Sequence, residues 1–163
     1  MTWRGSATLQ DRIFGSLIYV LPFGDAVLYG GNLLGQFGLG SIFNFLAPLA
    51  ALNSGFGGLI LFFALFIFVI NNPNIAHFIR FNVFQALLLL IATTLYSLVF
   101  GVLFNIFGQV PDLAPFVSLL KQTLNNTVFL AVTAACFYSI FKSVSGKYAD
   151  IPKLSDLVYS QVR

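Results

Sequence analysis

Hydrophobic residues come in long runs along this chain. Apolar segments occupy 13–30, 36–52, 54–71, 81–104 and 123–141. A helix of about 20 apolar residues, within a range of about 17 to 25, crosses a hydrocarbon core. The pattern predicts an all-α integral membrane protein. Segment 36–52, QFGLGSIFNFLAPLAAL, is the exception. It holds Gly38, Gly40, Asn44 and Pro48, and only Asn53 and Ser54 separate it from the next run.

Charge decides between four and five spans, because Lys and Arg near span ends favour the cytoplasmic side. With spans at 13–30, 54–71, 81–104 and 123–141, one side collects Arg4, Arg12, Arg80, Lys142, Lys147, Lys153 and Arg163. The other side holds Lys121, with Asp25 and Asp112. A fifth span at 36–52 would set the N-terminal arginines against Arg80 and the tail cations. The reading is therefore four transmembrane helices with both termini on the cytoplasmic or stromal side. Segment 36–52 becomes an interfacial or re-entrant element between helices 1 and 2, its backbone shielded by protein or water.

Composition agrees. Of 163 residues, 58% are hydrophobic and 8% charged, with a mean hydropathy of +0.91, against ~25% charged in soluble domains. The length suits one membrane domain, 1–163, with a tail at 142–163. Glutamate is absent, and the net charge of +3 is spread along the chain. Scattered cations make no basic stripe, so no nucleic-acid partner is expected. The single Cys136 forms no internal disulfide. MTWRGSATLQDR shows neither a cleavable signal nor a transit pattern, so the first apolar run is expected to be a retained anchor.

Individual spans carry further signals. Pro22 should kink span 1. Asp25 and Tyr29 are four apart and share a face, placed near the far interface. Asn72-Pro73 reads as N-cap and first residue of the helix for span 3. Thr93, Ser97, Gly101 and Asn105 on span 3, and Thr127, Ala131, Ala135 and Ser139 on span 4, place small residues every four positions. Small residues let helix backbones approach in lipid. The expectation is an antiparallel pair packed through Ser97, Gly101, Ala131 and Ala135.

Enzyme chemistry finds no motif. There is one histidine, no Cys/His cluster with metal-ligand spacing, no Walker loop and no GxSxG. No enzyme activity and no cofactor are expected. The polar residues that call for explanation are in HFIRFNVFQ, 77–85. His77 and Arg80 read as interface anchors. Asn82 and Gln85 sit a turn deeper, where an amide needs protein or water. They, with Asp25 and Tyr29, line a substrate path or hold helices together. The tail SGKYADIPKLSDLVYSQVR predicts an extended stretch before Pro152 and a short amphipathic helix after it. Tyr148, Asp150, Ile151 and Pro152 are its candidate docking residues; the alternative is a helix lying at the membrane surface.

Three stretches, LIYVLPFGDAVLY at 17–29, HFIRFNVFQALLL at 77–89 and GKYADIPKLSDLVYSQVR at 146–163, resemble the Tic-twenty family of the chloroplast inner-envelope translocon and its cyanobacterial relatives. Segment 30–54 carries no recognisable motif. The resemblance implies four helices, membership in a preprotein import complex with other translocon subunits, contact with translocating polypeptides, and a homo- or hetero-oligomer in the bilayer. A cyanobacterial or plastid-encoded member fits best, in a cyanobacterial plasma or thylakoid membrane or the chloroplast inner envelope. Three functions stay open: a translocon or channel subunit, a structural assembly scaffold, and a small-solute transporter.

Overall fold

The computed structural model describes residues 7–53, 55–151 and 154–161. Among them every regular element is helical: α1 (Leu9–Leu17), α2 (Val20–Val27), α3 (Gly31–Gln36), α4 (Gly40–Leu52), α5 (Gly55–Leu65) running into a π-helical turn (Phe66–Ile70), α6 (His77–Phe107), α7 (Ala114–Val144) and α8 (Leu154–Gln161). The helices α6 and α7 are each long and apolar enough to cross a membrane, and α4 with the α5–π segment makes a third candidate, bent by 71°. At ~1.5 Å per residue, α6 and α7 are each ~46 Å long.

Local chemistry sets where these helices begin and break. The Thr8 side chain accepts from the Asp11 N–H, and the Asp11 carboxylate accepts from the Thr8 N–H at 2.8 Å. This reciprocal cap starts α1 ahead of the apolar run. The break between α1 and α2 falls at Ile18–Tyr19. Pro22 lies four residues beyond Ile18, so its missing N–H and its ring remove the hydrogen bond that would carry the helix across. The Leu21 N–H turns to the Ile18 carbonyl instead. Pro22 thus separates the first apolar run into two helices.

One start signal is corrected. Helix α6 begins at His77, with Ala76 in an extended conformation at its N-cap. Asn72 does not cap it. The Asn72 side chain accepts from the Asn74 N–H at 3.0 Å, closing an Asx turn, and Pro73 lies in that turn. Asn favours such a local bond over capping when the chain must still turn.

Helices α1 and α2 enter between α6 and α7 and pack on both. Tyr19, Ala26, Val27, Ala86, Leu89, Phe129, Val132 and Cys136 form the core there. Gly30 marks the tightest approach. A Cβ at Gly30 would lie 2.6 Å from two ring carbons of Phe129, a buried side chain. Gly30→Ala should cost about 1–3 kcal/mol by overpacking, read as thermal unfolding in detergent. Adding Phe129→Leu should restore part of the loss; an unchanged melting temperature for Gly30→Ala would refute the contact.

The small-residue expectation is also corrected. Helices α6 and α7 pack, and they run antiparallel, but of the two stripes only Thr93 and Ser139, one at an end of each, are buried. Ser97 and Ala131 are exposed, and a Cβ at Gly101 would meet nothing within 4 Å. Ala135 alone of the four touches the core, at its edge. The buried positions are Asn82, Gln85, Ala86, Leu89 and Thr93 on α6 and Phe129, Val132, Cys136, Ser139 and Ser143 on α7. The physical reason is the intruding first run, whose Tyr19 and Asp25 need partners and so turn the polar side chains of α6 and α7 inward.

Candidate functional site

Two polar clusters lie inside the bundle. The first sits near the start of α6. Asn82 is fully buried, and its carbonyl oxygen accepts from the Tyr19 hydroxyl at 3.0 Å and the Ser143 hydroxyl at 2.8 Å. Its amide donates to the Phe78 carbonyl at 2.8 Å. Gly15 of α1 is pressed against Phe78 and Asn82. Asn82 therefore ties the break between α1 and α2, and α7, to α6. Gln85 is also fully buried and donates to the Ser139 hydroxyl at 3.3 Å, while its carbonyl oxygen has no partner.

Arg80 reaches back across the preceding loop. Its Nε donates to the Ile70 carbonyl at 2.7 Å, at the end of the π turn. A cation there satisfies an orphan carbonyl and complements the helix dipole. Arg80 thus anchors the end of the α5–π segment. His77 Nδ1 lies 3.0 Å from the Tyr148 hydroxyl, which links the start of α6 to the tail.

The second cluster lies midway along α6. The Thr93 hydroxyl donates to the Asp25 carboxyl at 2.5 Å, and the Tyr29 hydroxyl donates to the Thr93 carbonyl at 3.2 Å. Asp25 and Tyr29 do share a face, as their spacing predicts, but deeper than the far end of the long helices. The Tyr29 ring meets Tyr96 edge-on at 5.4 Å, and the Tyr96 hydroxyl donates to Asn125 of α7 at 2.6 Å. Together they tie α2 to α6 and α6 to α7.

Tail residues are engaged by the chain itself. The Tyr148 ring packs edge-on against Phe78 and Phe81, at 5.2 and 4.9 Å. Ala149 and Val158 are fully buried. The Asp150 side chain accepts from the Tyr159 hydroxyl at 2.8 Å, and the Ile151 N–H donates to the Ser155 hydroxyl at 2.7 Å. Helix α8 lies on α6. Pro152 is outside the described residues. Arg12 covers the turn after α7, where Gly146 has φ +72 and a Cβ would lie 2.8 Å from the Arg12 Nε.

Sequence reasoning singled out Asn82, Gln85, Asp25 and Tyr29 but not their partners Tyr19, Ser143 and Tyr96. Thr93 and Ser139 stood out only as small residues. The available signal was a hydroxyl at each of Ser139 and Ser143, four apart and so on one face of α7. Among the described residues no three metal-binding side chains converge.

An all-helical bundle with membrane-length apolar helices, laced by buried amides and hydroxyls, defines a class of helical membrane proteins. Comparison with known proteins narrows it. The family described as "Chloroplast import apparatus Tic20-like" matches residues 8–157. A Tic20 family protein of Synechocystis sp. is 42% identical over 167 aligned residues, covering all of this chain and 99% of the relative. The Tic20 family protein Ycf60 of Porphyra purpurea is 28% identical, covering 99% of this chain and 80% of the relative. Protein TIC 20-v, chloroplastic, of Arabidopsis thaliana is 28% identical, covering 96% and 73%. The chain belongs to the Tic20 family.

Proposed function

We propose that this chain is a non-catalytic subunit of a membrane protein-translocation complex. The observation that carries this is the family match across 8–157. The polar groups add a constraint. Asn82 and Gln85 are fully buried and bonded between helices, so they act as interhelical ties, not as the lining of a path through one copy. A path for polypeptides then forms between this chain and other subunits or further copies, and the protein contributes a wall to it. The scaffold reading shares this geometry. It is favoured if the chain assembles the complex without touching the cargo.

The topology belongs to the same proposal. Helices α1 and α2 form a broken first span, α5 with its π turn the second, α6 the third and α7 the fourth. Helices α3 and α4 lie at or dip into the far interface, and α4, at 13 residues, is ~20 Å long and too short to cross. The seven-to-one division of cations puts both ends on the cytoplasmic or stromal side.

Two measurements test this. In a Cys136→Ser background, a cysteine at Ser160 should react with a membrane-impermeant thiol reagent from the cytoplasmic side, and one at Gln109 from the opposite side. Labelling of both from one side would overturn the four-span topology. The complex taken from its own membrane in gentle detergent should be a large hetero-oligomer containing protein-export or import components. Photo-crosslinks to a stalled precursor support the path-wall reading. A free monomer would overturn the subunit assignment.

A further inference from the structure

Asp25 is the one acidic residue that the fold carries to the middle of a membrane-length helix. Asp11, Asp112, Asp150 and Asp156 sit in a helix cap, a loop and the tail. Thr93, the partner of Asp25, stands ~24 Å along α6 from His77. With His77 and Arg80 at the cytoplasmic interface, that depth falls inside a hydrocarbon core ~30 Å thick. The Asp25 side chain is half-buried. Among the described residues the Thr93 hydroxyl is its one hydrogen-bond partner, and no cation pairs with it. Its Oδ1 is unpartnered and is not enclosed by the protein, so that oxygen opens outward from the bundle at membrane depth.

Aromatic rings border it. Tyr29, one turn on, gives its hydroxyl to the Thr93 carbonyl, and its half-exposed ring meets the half-exposed Tyr96 ring. A carboxyl group beside such rings favours a cationic side chain, which gains from both. In lipid, an acid pairs with a cation or another polar group and does not face hydrocarbon.

Depth decides who can supply the cation. In the four-span topology seven cations of this chain lie at the cytoplasmic side. The eighth, Lys121, lies on α7 one turn beyond Asn125 toward the far side. A second copy inserted the same way carries its cations at the same heights, so it presents none opposite Asp25. A passing polypeptide would relieve the acid only while it passes. A fixed subunit relieves it throughout.

We propose that Asp25, with Tyr29 and Tyr96 beside it, is a docking site for another subunit, whose transmembrane helix sets a Lys or Arg against Asp25 Oδ1. The site rests on the subunit reading and on α2 lying in the bilayer, which the native complex and the thiol labelling above read separately.

The test uses the complex from its own membrane. Asp25→Asn removes the charge and keeps an oxygen for the Thr93 hydroxyl, so the purified chain should melt as the wild type does. The share of the chain recovered in the large complex on native gels should fall about tenfold, the worth of one charge-assisted hydrogen bond. Asp25→Glu should keep most of it. A photo-crosslinker at Leu28, exposed about one turn along α2, should capture an identified membrane subunit with a Lys or Arg inside a transmembrane helix. Exchanging the charges, Asp25→Lys with that cation changed to Asp, should restore the complex that either change alone loses. Full assembly by Asp25→Asn would overturn the ion pair and leave the subunit reading standing, whereas a monomeric wild type would overturn both. Capture of a second copy or of a precursor alone, or no rescue on charge exchange, would overturn the subunit as the source of the cation.

Discussion

Phe81→Ala should destabilise the protein by about 3 kcal/mol and release its tail. Phe81 is fully buried, with the Tyr148 and Tyr159 rings each 4.9 Å from it and Ile70, Val83, Leu87 and Val158 in the same cluster. Truncating a buried Phe costs about 3–5 kcal/mol in well-packed cores. Aromatic pairs add about 0.5–1.5 kcal/mol beyond burial. The lower end applies here, because the tail can close over part of the void. Thermal unfolding in detergent reads the stability, and tryptic cleavage after the exposed Lys147 reads the release. Phe81→Leu should fall between wild type and Phe81→Ala. An unchanged melting temperature with a protected Lys147 would show that Phe81 does not hold the tail.

Asn82→Leu should cost about 2 kcal/mol. The change keeps the shape and removes the acceptor shared by Tyr19 and Ser143. The two stranded hydroxyls are unequal. Ser143 sits on a helix and can turn to the carbonyl four residues back. Tyr19, fully buried, keeps only the Ser139 hydroxyl within reach and carries most of the penalty, about 1–3 kcal/mol for a buried donor that loses its acceptor. Interhelical hydrogen bonds in lipid average about 0.6 kcal/mol, with a maximum near 1.7, which keeps the sum near 2. Adding Tyr19→Phe to Asn82→Leu should recover about 1 kcal/mol, because the orphan is then gone. Strict additivity of the two variants in thermal unfolding would show that the pair is not coupled.

These two residues are neighbours in sequence, yet they were legible to different degrees. That Asn82 must face protein or water follows from the cost of an amide in hydrocarbon. Its partners do not follow, since Tyr19 and Ser143 lie 63 and 61 residues away. Phe81 was one of many phenylalanines in an apolar run. Nothing in that run says that its ring, and not that of Phe84, would be covered by the tail. The tail itself read evenly as a partner-docking element or a surface helix. In the structure its tyrosines pack on α6 of the same chain.

The Asn72-Pro73 signal failed for a related reason. The dipeptide is as good an Asx turn as a helix start, and only the position of Arg80 under Ile70 requires the chain to turn before α6 can begin. The small-residue stripes failed because their spacing is a property of each helix alone. Which stripe is used depends on what enters between the helices.

Residue order alone was enough for the helical class, the apolar runs and the family. These are sums over neighbouring residues: hydropathy, charge, and motifs of contiguous positions. Tertiary structure decided which faces of α6 and α7 meet, that Asp25 lies midway along α6, and that Tyr148 turns inward. Those outcomes depend on pairing residues tens of positions apart. A buried hydroxyl or amide selects its partner from whatever side chains the packed helices bring within 3 Å, and no local pattern in the chain encodes that choice.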